Sequence, residues 1–251
     1  AAMGALRSGA GLVTVATPRC CLPVLAGLSP VYMTVDLPDD SAGTLDASGV
    51  DKLLEQAHDV IACGPGVGRT PQVAQFVRAL LDKATVPLVL DADAITVLAD
   101  DPGGLSGKEE RDLIITPHPG EMARLIGATI ADVQANRIQV ATDFATTHRV
   151  YVVLKGHRTV IATPEGHVYI NPTGNPGMAT GGTGDVLTGM IAAWLAQLLD
   201  AEAAIRLAVF LHGAAGDLAE ANQGQVSMIA TDLLDHLGGA LKVLVDPPAS
   251  A

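Results

Sequence analysis

The chain has 251 residues, of which 49% are hydrophobic and 3% aromatic, and its formal net charge is −12. That length suits a large α/β domain with an aliphatic core, and we expect residues 1–251 to form a single domain. The acidic excess argues against nucleic acid or an anionic membrane surface as a partner, because both would repel the protein. The three cysteines fit neither a disulfide framework nor a zinc site, which predicts a cytoplasmic protein.

The opening segment, AAMGALRSGAG, predicts the second half of a helix, because Ala, Met and Leu have helical spacing and glycines follow them. Short apolar runs then predict strands, most of them continuous rather than alternating, as is typical of a parallel sheet covered on both faces. These runs are residues 12–17, 32–37, 60–63, 88–91, 113–115 and 151–154.

The helices between these strands begin at recognisable caps. Thr70 with Pro71 caps one helix, and a capping box at 129–132 opens a second that we expect to continue to about Thr147. Residues 159–171 predict an antiparallel hairpin, and the chain after Gly184 is helical. The predicted fold is therefore a three-layer α/β sandwich: a mostly parallel central sheet, helices on both faces and a small antiparallel extension.

The strongest functional signal is the segment 175–189, NPGMATGGTGDVLTG, in which glycines lead directly into an apolar helix expected to begin near Asp185. Successive backbone N–H groups at the positive end of a helix can hold an anion without Lys or Arg. The candidate anion hole comprises Gly181, Gly182, Thr183 and Gly184. A Walker loop is excluded, because no Lys follows the glycines.

Asp185 has two interpretations from sequence. As an N-cap it would stabilise the helix by about 0.5 to 2 kcal/mol and have no catalytic function. Beside an anion hole, the same carboxylate can accept the proton of a substrate hydroxyl that attacks a terminal phosphate. The glycine context favours Asp185 as a catalytic base.

Two further loops follow predicted strands, where open α/β sheets present ligand-binding loops. Residues 64–69, GPGVGR, suit a nucleotide site or a tight turn that needs positive φ. Residues 115–121, ITPHPGE, hold His118 between prolines and place Glu121 at a helix start. An ordinary surface histidine and a glutamate favoured by the helix dipole explain the same pattern.

Two segments carry charge at strand ends. Residues 154–159, LKGHRT, offer Lys155 and Arg158 to the phosphates or ribose of a nucleotide, although a solvated hairpin approach would look the same. Residues 90–94, LDADA, place two carboxylates where they hold Mg²⁺ through water or cap the next helix.

Taken together, these motifs resemble the ADP- or ATP-dependent NAD(P)H-hydrate dehydratases of the ribokinase-like superfamily. The motifs are SGAGLVTVATP, GPGVGR, LDADAITVL, ITPHPGEMARL, LKGHRTVI and NPGMATGGTGDVLTG. The resemblance implies a ribokinase-like fold and dehydration of the S-epimer of hydrated NADH or NADPH. The ring hydroxyl would be phosphorylated and phosphate then eliminated, since phosphate leaves far more easily than hydroxide.

The resemblance also assigns residues to ligands. The hydrated dinucleotide would contact Gly66, His118 and Asp185. The adenine nucleotide, ADP or ATP, would contact Lys155, Gly156, His157, Arg158, Thr159 and Gly184. His118-x-x-Glu121 takes the place of the Asn-x-x-Glu motif with which related sugar kinases organise Mg²⁺, so Glu121 is the candidate metal residue.

Three more expectations come from the family. Its members usually begin with a strand and glycine-rich loop upstream of the first residue here, so we expect that element to be missing from this sequence. No trace of the upstream epimerase domain of many relatives is present. Family members are often tetramers, and the Ala-rich C-terminal helices favour a homo-oligomer.

Two rival functions remain open from the sequence. A ribokinase-like kinase of a vitamin precursor, such as hydroxyethylthiazole, would use the same base at Asp185 and stop after phosphoryl transfer. A non-catalytic module that senses nucleotide would need the glycine loop but not the base.

Overall fold

The protein is represented by a computed structural model that describes residues 1–99, 102–198 and 200–245. Its strands are β1 (Thr14–Pro18), β2 (Met33–Leu37), β3 (Ile61–Cys63), β4 (Leu88–Leu90), β5 (Leu113–Ile115), β6 (Tyr151–Leu154), β7 (Val160–Ala162) and β8 (Val168–Ile170). Its α-helices are α1 (Ala2–Arg7), α2 (Leu22–Leu28), α3 (Gly49–Leu54), α4 (Pro71–Lys83), α5 (Ala92–Leu98), α6 (Pro119–Ile126), α7 (Ile130–Ala135), α8 (Arg137–His148), α9 (Thr183–Leu198), α10 (Ala201–Gln223) and α11 (Ala230–Val245).

The central sheet has six strands in the order β3-β4-β5-β6-β7-β8. The first four are parallel, and β7 and β8 extend the sheet antiparallel to β6 and to each other. This arrangement confirms the predicted fold class. The strands β1 and β2 pair in parallel in a separate two-stranded sheet, a division that the sequence did not indicate.

Both faces of the central sheet are apolar, which explains why its strands lack a polar alternation. On β4, Leu88 and Leu90 pack into a core with α3 to α8, whereas Val89 packs into a second core with α9 to α11. Ile114 and Val153 continue that second core on the neighbouring strands. Successive side chains of a strand point to opposite faces, so the sheet separates two cores.

The helix starts follow the predicted caps, but one predicted helix is divided. Thr70 accepts a hydrogen bond from the backbone of α4, and Thr129 and Asp132 form the expected capping box. The chain leaves helical geometry at Asn136, where φ is −131°, so α7 and α8 replace one helix. The side chain of Asn136 donates to the carbonyl of Asp132 (3.2 Å), which satisfies an acceptor at the break.

Helix α1 lies directly against α9. A Cβ atom at Gly4 would lie 2.5 Å from the carbonyl oxygen of Val186, so only glycine allows this approach of the two backbones. None of the described helices combines the length and hydrophobicity needed to span a lipid bilayer.

Candidate active site

The loops that follow β3, β4, β5 and β6 meet at one edge of the sheet, because these strands are parallel. Backbone hydrogen bonds join consecutive loops: Asp91 N to Cys63 O (3.0 Å), Thr116 N to Leu90 O (3.1 Å) and Lys155 N to Pro117 O (2.8 Å). A Cβ atom at Gly64 would lie 1.7 Å from the carbonyl oxygen of Asp91, and Gly64 has φ +137°. The motifs separated in sequence therefore form one continuous surface at this edge.

Lys155 lies at the centre of this surface. Its ammonium nitrogen is 2.5 Å from Oδ1 of Asp91 and 3.9 Å from Oε2 of Glu121. The side chains of Asp91 and Glu121 are 1% and 6% exposed, so both carboxylates are removed from water. The other oxygen of Asp91 accepts the hydroxyl of Thr188 at 2.6 Å. Of the two alternatives for Asp91, capping is wrong, because its side chain makes no capping bond to α5.

Asp91 remains ionised despite its burial. Burial alone would raise the pKa of its carboxyl, but the Lys155 ammonium and the hydroxyls of Thr188 and Thr116 together hold the pKa below its ordinary value. The next residue, Ala92, has φ +48°, a backbone conformation that non-glycine residues rarely adopt. The surrounding structure therefore fixes Asp91 in place at some local cost.

Asp185 is the third residue of α9, because the helix begins at Thr183. The sequence placed the helix start near Asp185, so the N-cap interpretation is wrong. The carboxyl is half-buried, and burial raises its pKa, as does the nearby Asp91 carboxylate, while Lys155 partly offsets both. A carboxyl with a raised pKa is a stronger base once ionised, as a general base requires.

The glycine loop before α9 is held from behind by α10. Asp217 accepts hydrogen bonds from Gly174 N (2.9 Å) and from the side chain of Asn175 (3.1 Å). His212 donates from Nε2 to the Thr183 carbonyl (2.9 Å), and burial lowers the pKa of His212 to about 4, so its imidazole is neutral at neutral pH. These contacts fix the loop without using the backbone N–H groups of residues 181–184.

The predicted anion hole keeps free amide groups. Within the described residues, the N–H groups of Gly181 and Gly182 donate to no protein acceptor. Gly182 has φ +90°, the turn geometry for which glycine is suited. The Thr183 hydroxyl donates to the carbonyls of Met178 and Thr180 (2.9 Å each), so only its backbone N–H is available to an anion. Thr183 and Gly184 open the helix, where N–H groups have no acceptor within the helix.

His118 and Glu121 form a reciprocal cap at the start of α6. Nδ1 of His118 accepts from Gly120 N (2.9 Å) and Glu121 N (3.1 Å), and Glu121 Oε2 accepts from His118 N (2.7 Å). Because Nδ1 is an acceptor, neutral His118 carries its proton on Nε2. Nε2 lies 3.5 Å from Glu121 Oε1 without a described hydrogen bond to it, and because the side chain is 57% exposed a ligand can reach Nε2–H.

The remaining predicted residues lie at the border of this surface. Gly66, Gly156, His157 and Arg158 are exposed. Gly66 has φ +72°, so the turn interpretation of 64–69 holds whether or not the loop binds a ligand. The Thr159 hydroxyl donates to Gly156 O (3.3 Å) and closes its own turn. No described hydrogen bond or ion pair joins His157 or Arg158 to the Lys155 cluster.

A Mg²⁺ site made of protein carboxylates does not fit this geometry. A dication between Asp91 and Glu121 would meet the Lys155 ammonium, which is within 4 Å of both. Across the described ranges, no group of three or more His, Cys, Asp or Glu side chains is arranged to hold a metal. That Glu121 organises Mg²⁺ stays a prediction.

Thr188, His212 and Asp217 were missed from the sequence. His212 and Asp217 lie inside a helical segment without a neighbouring motif, whereas Thr188 lies within the segment 175–189 but was not singled out there. Thr188 falls one turn after Asp185, and this spacing was the only available signal that both face the same surface.

Comparison with known proteins decides the family. A family model described as NAD(P)H-hydrate dehydratase matches residues 1–238. The chain belongs to the NAD(P)H-hydrate dehydratase family. The bifunctional NAD(P)H-hydrate repair enzyme of Moorella thermoacetica is 50% identical over 246 residues, which are 97% of this chain and 46% of that protein. The chain thus spans about half the length of such bifunctional relatives.

Other members of the NAD(P)H-hydrate dehydratase family match over most of their length. The ADP-dependent (S)-NAD(P)H-hydrate dehydratase of Bacillus subtilis is 36% identical over 94% of this chain and 81% of that protein. A crystal structure of the B. subtilis ADP/ATP-dependent NAD(P)H-hydrate dehydratase, co-crystallised with ATP/Mg²⁺ and soaked with CoA, superimposes with a TM-score of 0.82 at 34% identity. The superposition covers 96% of this chain and 84% of the B. subtilis chain. Hydroxyethylthiazole kinase of Pyrococcus horikoshii, at 16% identity and a TM-score of 0.63, shares the fold alone.

Proposed function

We propose that this protein dehydrates the S-epimer of hydrated NADH or NADPH back to the normal cofactor, with ADP or ATP as the phosphate donor. The single observation that carries the proposal is Asp185, a half-buried carboxyl with a raised pKa in the first turn of α9, directly after a loop with free amide groups. A base and an anion-binding helix start are thereby adjacent, as transfer of a phosphoryl group to a hydroxyl requires.

The proposed reaction has two steps. Asp185 accepts the proton of the ring hydroxyl while that oxygen attacks the terminal phosphorus, and the bond to the donor's bridging oxygen breaks. ATP thus leaves as ADP, or ADP as AMP. In the second step the carbon–oxygen bond breaks, a proton leaves the neighbouring carbon, and inorganic phosphate departs with the shared oxygen. The hydroxyl oxygen of the substrate thus leaves as part of inorganic phosphate, and the C=C bond of the nicotinamide ring is restored.

The other side chains bind and orient. N–H groups of Gly181, Gly182, Thr183 and Gly184 hold the transferred phosphoryl group, and residues 155–159 contact the nucleotide. Gly66 and His118 contact the hydrated dinucleotide, His118 through its Nε2–H. Mg²⁺ bound to the nucleotide would neutralise phosphate charge, and Glu121 is the residue of this chain that would interact with it.

The rival functions have less support. The kinase of a vitamin precursor rests on a likeness of fold at 16% identity, whereas the B. subtilis dehydratase and the M. thermoacetica repair enzyme are 36% and 50% identical to this chain. A sensor would have no need for a carboxyl with a raised pKa beside free amides.

The test uses chemically hydrated NADH with protein, Mg²⁺ and either ADP or ATP. We expect the absorbance of reduced nicotinamide to return with at least one nucleotide, with stoichiometric release of phosphate, and not with Asp185→Asn. Failure with both nucleotides would reject the proposal, and phosphorylation of hydroxyethylthiazole would replace it with the kinase. That the protein is cytoplasmic, forms a homo-oligomer such as a tetramer and consists of one domain stay predictions.

A further inference from the structure

We infer that the ammonium of Lys155 is the resident cation of this site, and that Asp91 is the residue that positions it. Lys155 takes the place between Asp91 and Glu121 that a divalent cation would otherwise occupy. The chain itself therefore binds no divalent cation there, and any metal must arrive with the nucleotide.

The contacts of Lys155 support its role as the resident cation. One nitrogen lies within 4 Å of two carboxylates that are almost fully buried, and it reaches Asp91 at 2.5 Å. Two buried carboxylates without a cation would repel each other in a medium that screens charge poorly. The ammonium removes that repulsion, which is the electrostatic task of a metal in a cluster of carboxylates.

The contacts of Asp91 support its role as the residue that positions Lys155. Its two oxygens bind different elements: Oδ1 binds Lys155 after β6, and Oδ2 binds Thr188 on α9. Thr188 lies three residues after Asp185, so Asp91 joins the lysine to the helix that carries the proposed base. A Cβ atom at Gly184 would lie 3.4 Å from the Lys155 nitrogen, which places the ammonium beside the predicted anion hole. In this position it faces an anion bound there, and it is fixed before the anion arrives.

The inference has two halves: the cation half, that Lys155 is the resident cation, and the positioning half, that Asp91 positions it. The cation half is independent of the proposed function. Its test is the electron paramagnetic resonance signal of free Mn²⁺ added without nucleotide. We expect the signal of free Mn²⁺ to be the same with wild type as in buffer, because wild type binds no Mn²⁺. Lys155→Ala should lower the signal by binding about one equivalent of Mn²⁺. Lys83→Ala is the matched control, because it removes a lysine from the exposed pair with Asp51 (2.6 Å), and it should resemble wild type.

Folding of the variant gives a second measurement. If Lys155→Ala is unfolded without metal, the inference requires Mn²⁺ to restore its far-ultraviolet circular dichroism. Stoichiometric Mn²⁺ binding by wild type that Asp91→Asn abolishes would overturn the inference. A Lys155→Ala protein that neither binds Mn²⁺ nor is refolded by it would overturn it equally.

The positioning half rests on the proposed function and uses a double-mutant cycle. Asp91→Asn should lower kcat/KM by about tenfold or more in wild type, but by no more than about twofold in the Lys155→Met background. A merely structural role would give the same factor in both backgrounds. Asp36→Asn is the control, since it removes a carboxylate from the pair with Lys52. It should leave kcat/KM unchanged in both backgrounds.

The two halves fail separately. If neither the wild type nor any variant shows dehydratase activity, the proposed function fails and the Mn²⁺ result still stands. If activity is present and the two factors for Asp91→Asn are equal, the positioning role of Asp91 is overturned.

Discussion

At the level of single residues, Asp185 carries the clearest prediction. Asp185→Asn keeps the size of the side chain and removes the base, so we expect kcat/KM to fall by about 10² to 10⁴. Burial makes ionised Asp185 unfavourable in the folded protein, so the variant should unfold at the same temperature or higher. Dehydratase kinetics and thermal unfolding measure the two effects. An active variant would refute the assignment of the base.

The pH dependence follows from the same carboxyl. Since burial raises its pKa above the ordinary value, Asp185 becomes protonated at a higher pH than an ordinary aspartate, and activity should fall as pH decreases through that raised pKa. The sign for stability is opposite. Folding favours the protonated form, so the stabilisation at acidic pH is lost as pH rises through the folded pKa. Asp185→Asn should remove this dependence of unfolding temperature on pH, and an unchanged dependence would contradict it.

The sequence predicted the individual site residues better than their partners. Asp185 and Lys155 were singled out from glycine context and a strand end, and Glu121 from a helix start and the family resemblance; their functional roles stay predictions. The pairs they form were not, because Lys155 and Asp91 are 64 residues apart, and Thr188 and Asp91 are 97 apart. Such pairs depend on the order of strands in the sheet, which no local pattern encodes.

At the level of elements, His118 has two separable roles in α6. His118→Asn can still cap the helix, whereas His118→Ala loses the cap and should cost about 0.5 to 2 kcal/mol of stability. Both variants lose Nε2–H, so both should raise KM for the hydrated cofactor. Chemical denaturation and steady-state kinetics distinguish these effects. Equal stability of the two variants would show that the cap contributes nothing.

The contact between α1 and α9 gives another prediction. Gly4→Ala places a Cβ atom 2.5 Å from the Val186 carbonyl, so it should reduce the free energy of unfolding by about 1 to 3 kcal/mol. It should also lower kcat, because Val186 adjoins Asp185. Gly27→Ala in α2 is the control, since nothing lies within 4 Å of its added Cβ. If denaturation curves of the two variants coincide, the close approach of α1 and α9 is not rigid.

The elements themselves were largely predictable. Apolar runs gave the strands, and caps at Thr70 and Thr129 gave two helix starts. The break at Asn136 was missed because the apolar spacing continues across it, and the start of α9 was placed too late because glycines are poor helix formers.

At the level of the whole molecule, most of the exposed large apolar residues of the described chain fall in two segments, residues 12–33 and residues 226–245. Leu12, Val24, Leu28 and Val31 are 57% to 82% exposed, and no residue of α2 is buried. Many of the alanines of α10 are buried within the chain, whereas the end of α11 exposes Val243, Leu244 and Val245, so the packing of these helices between subunits stays a prediction. We therefore expect Val24→Asp with Leu28→Asp to reduce the molar mass measured by light scattering. A monomeric wild type would refute the predicted oligomer.

The close contact between Gly64 and the backbone of Asp91 has a consequence for sequence variation. Any side chain at position 64 would push against the backbone of Asp91, the residue that pairs with Lys155. Random mutagenesis with selection for cofactor repair should thus recover almost no substitutions at this position, while Gly27, whose added Cβ would meet nothing within 4 Å, accepts small residues more often.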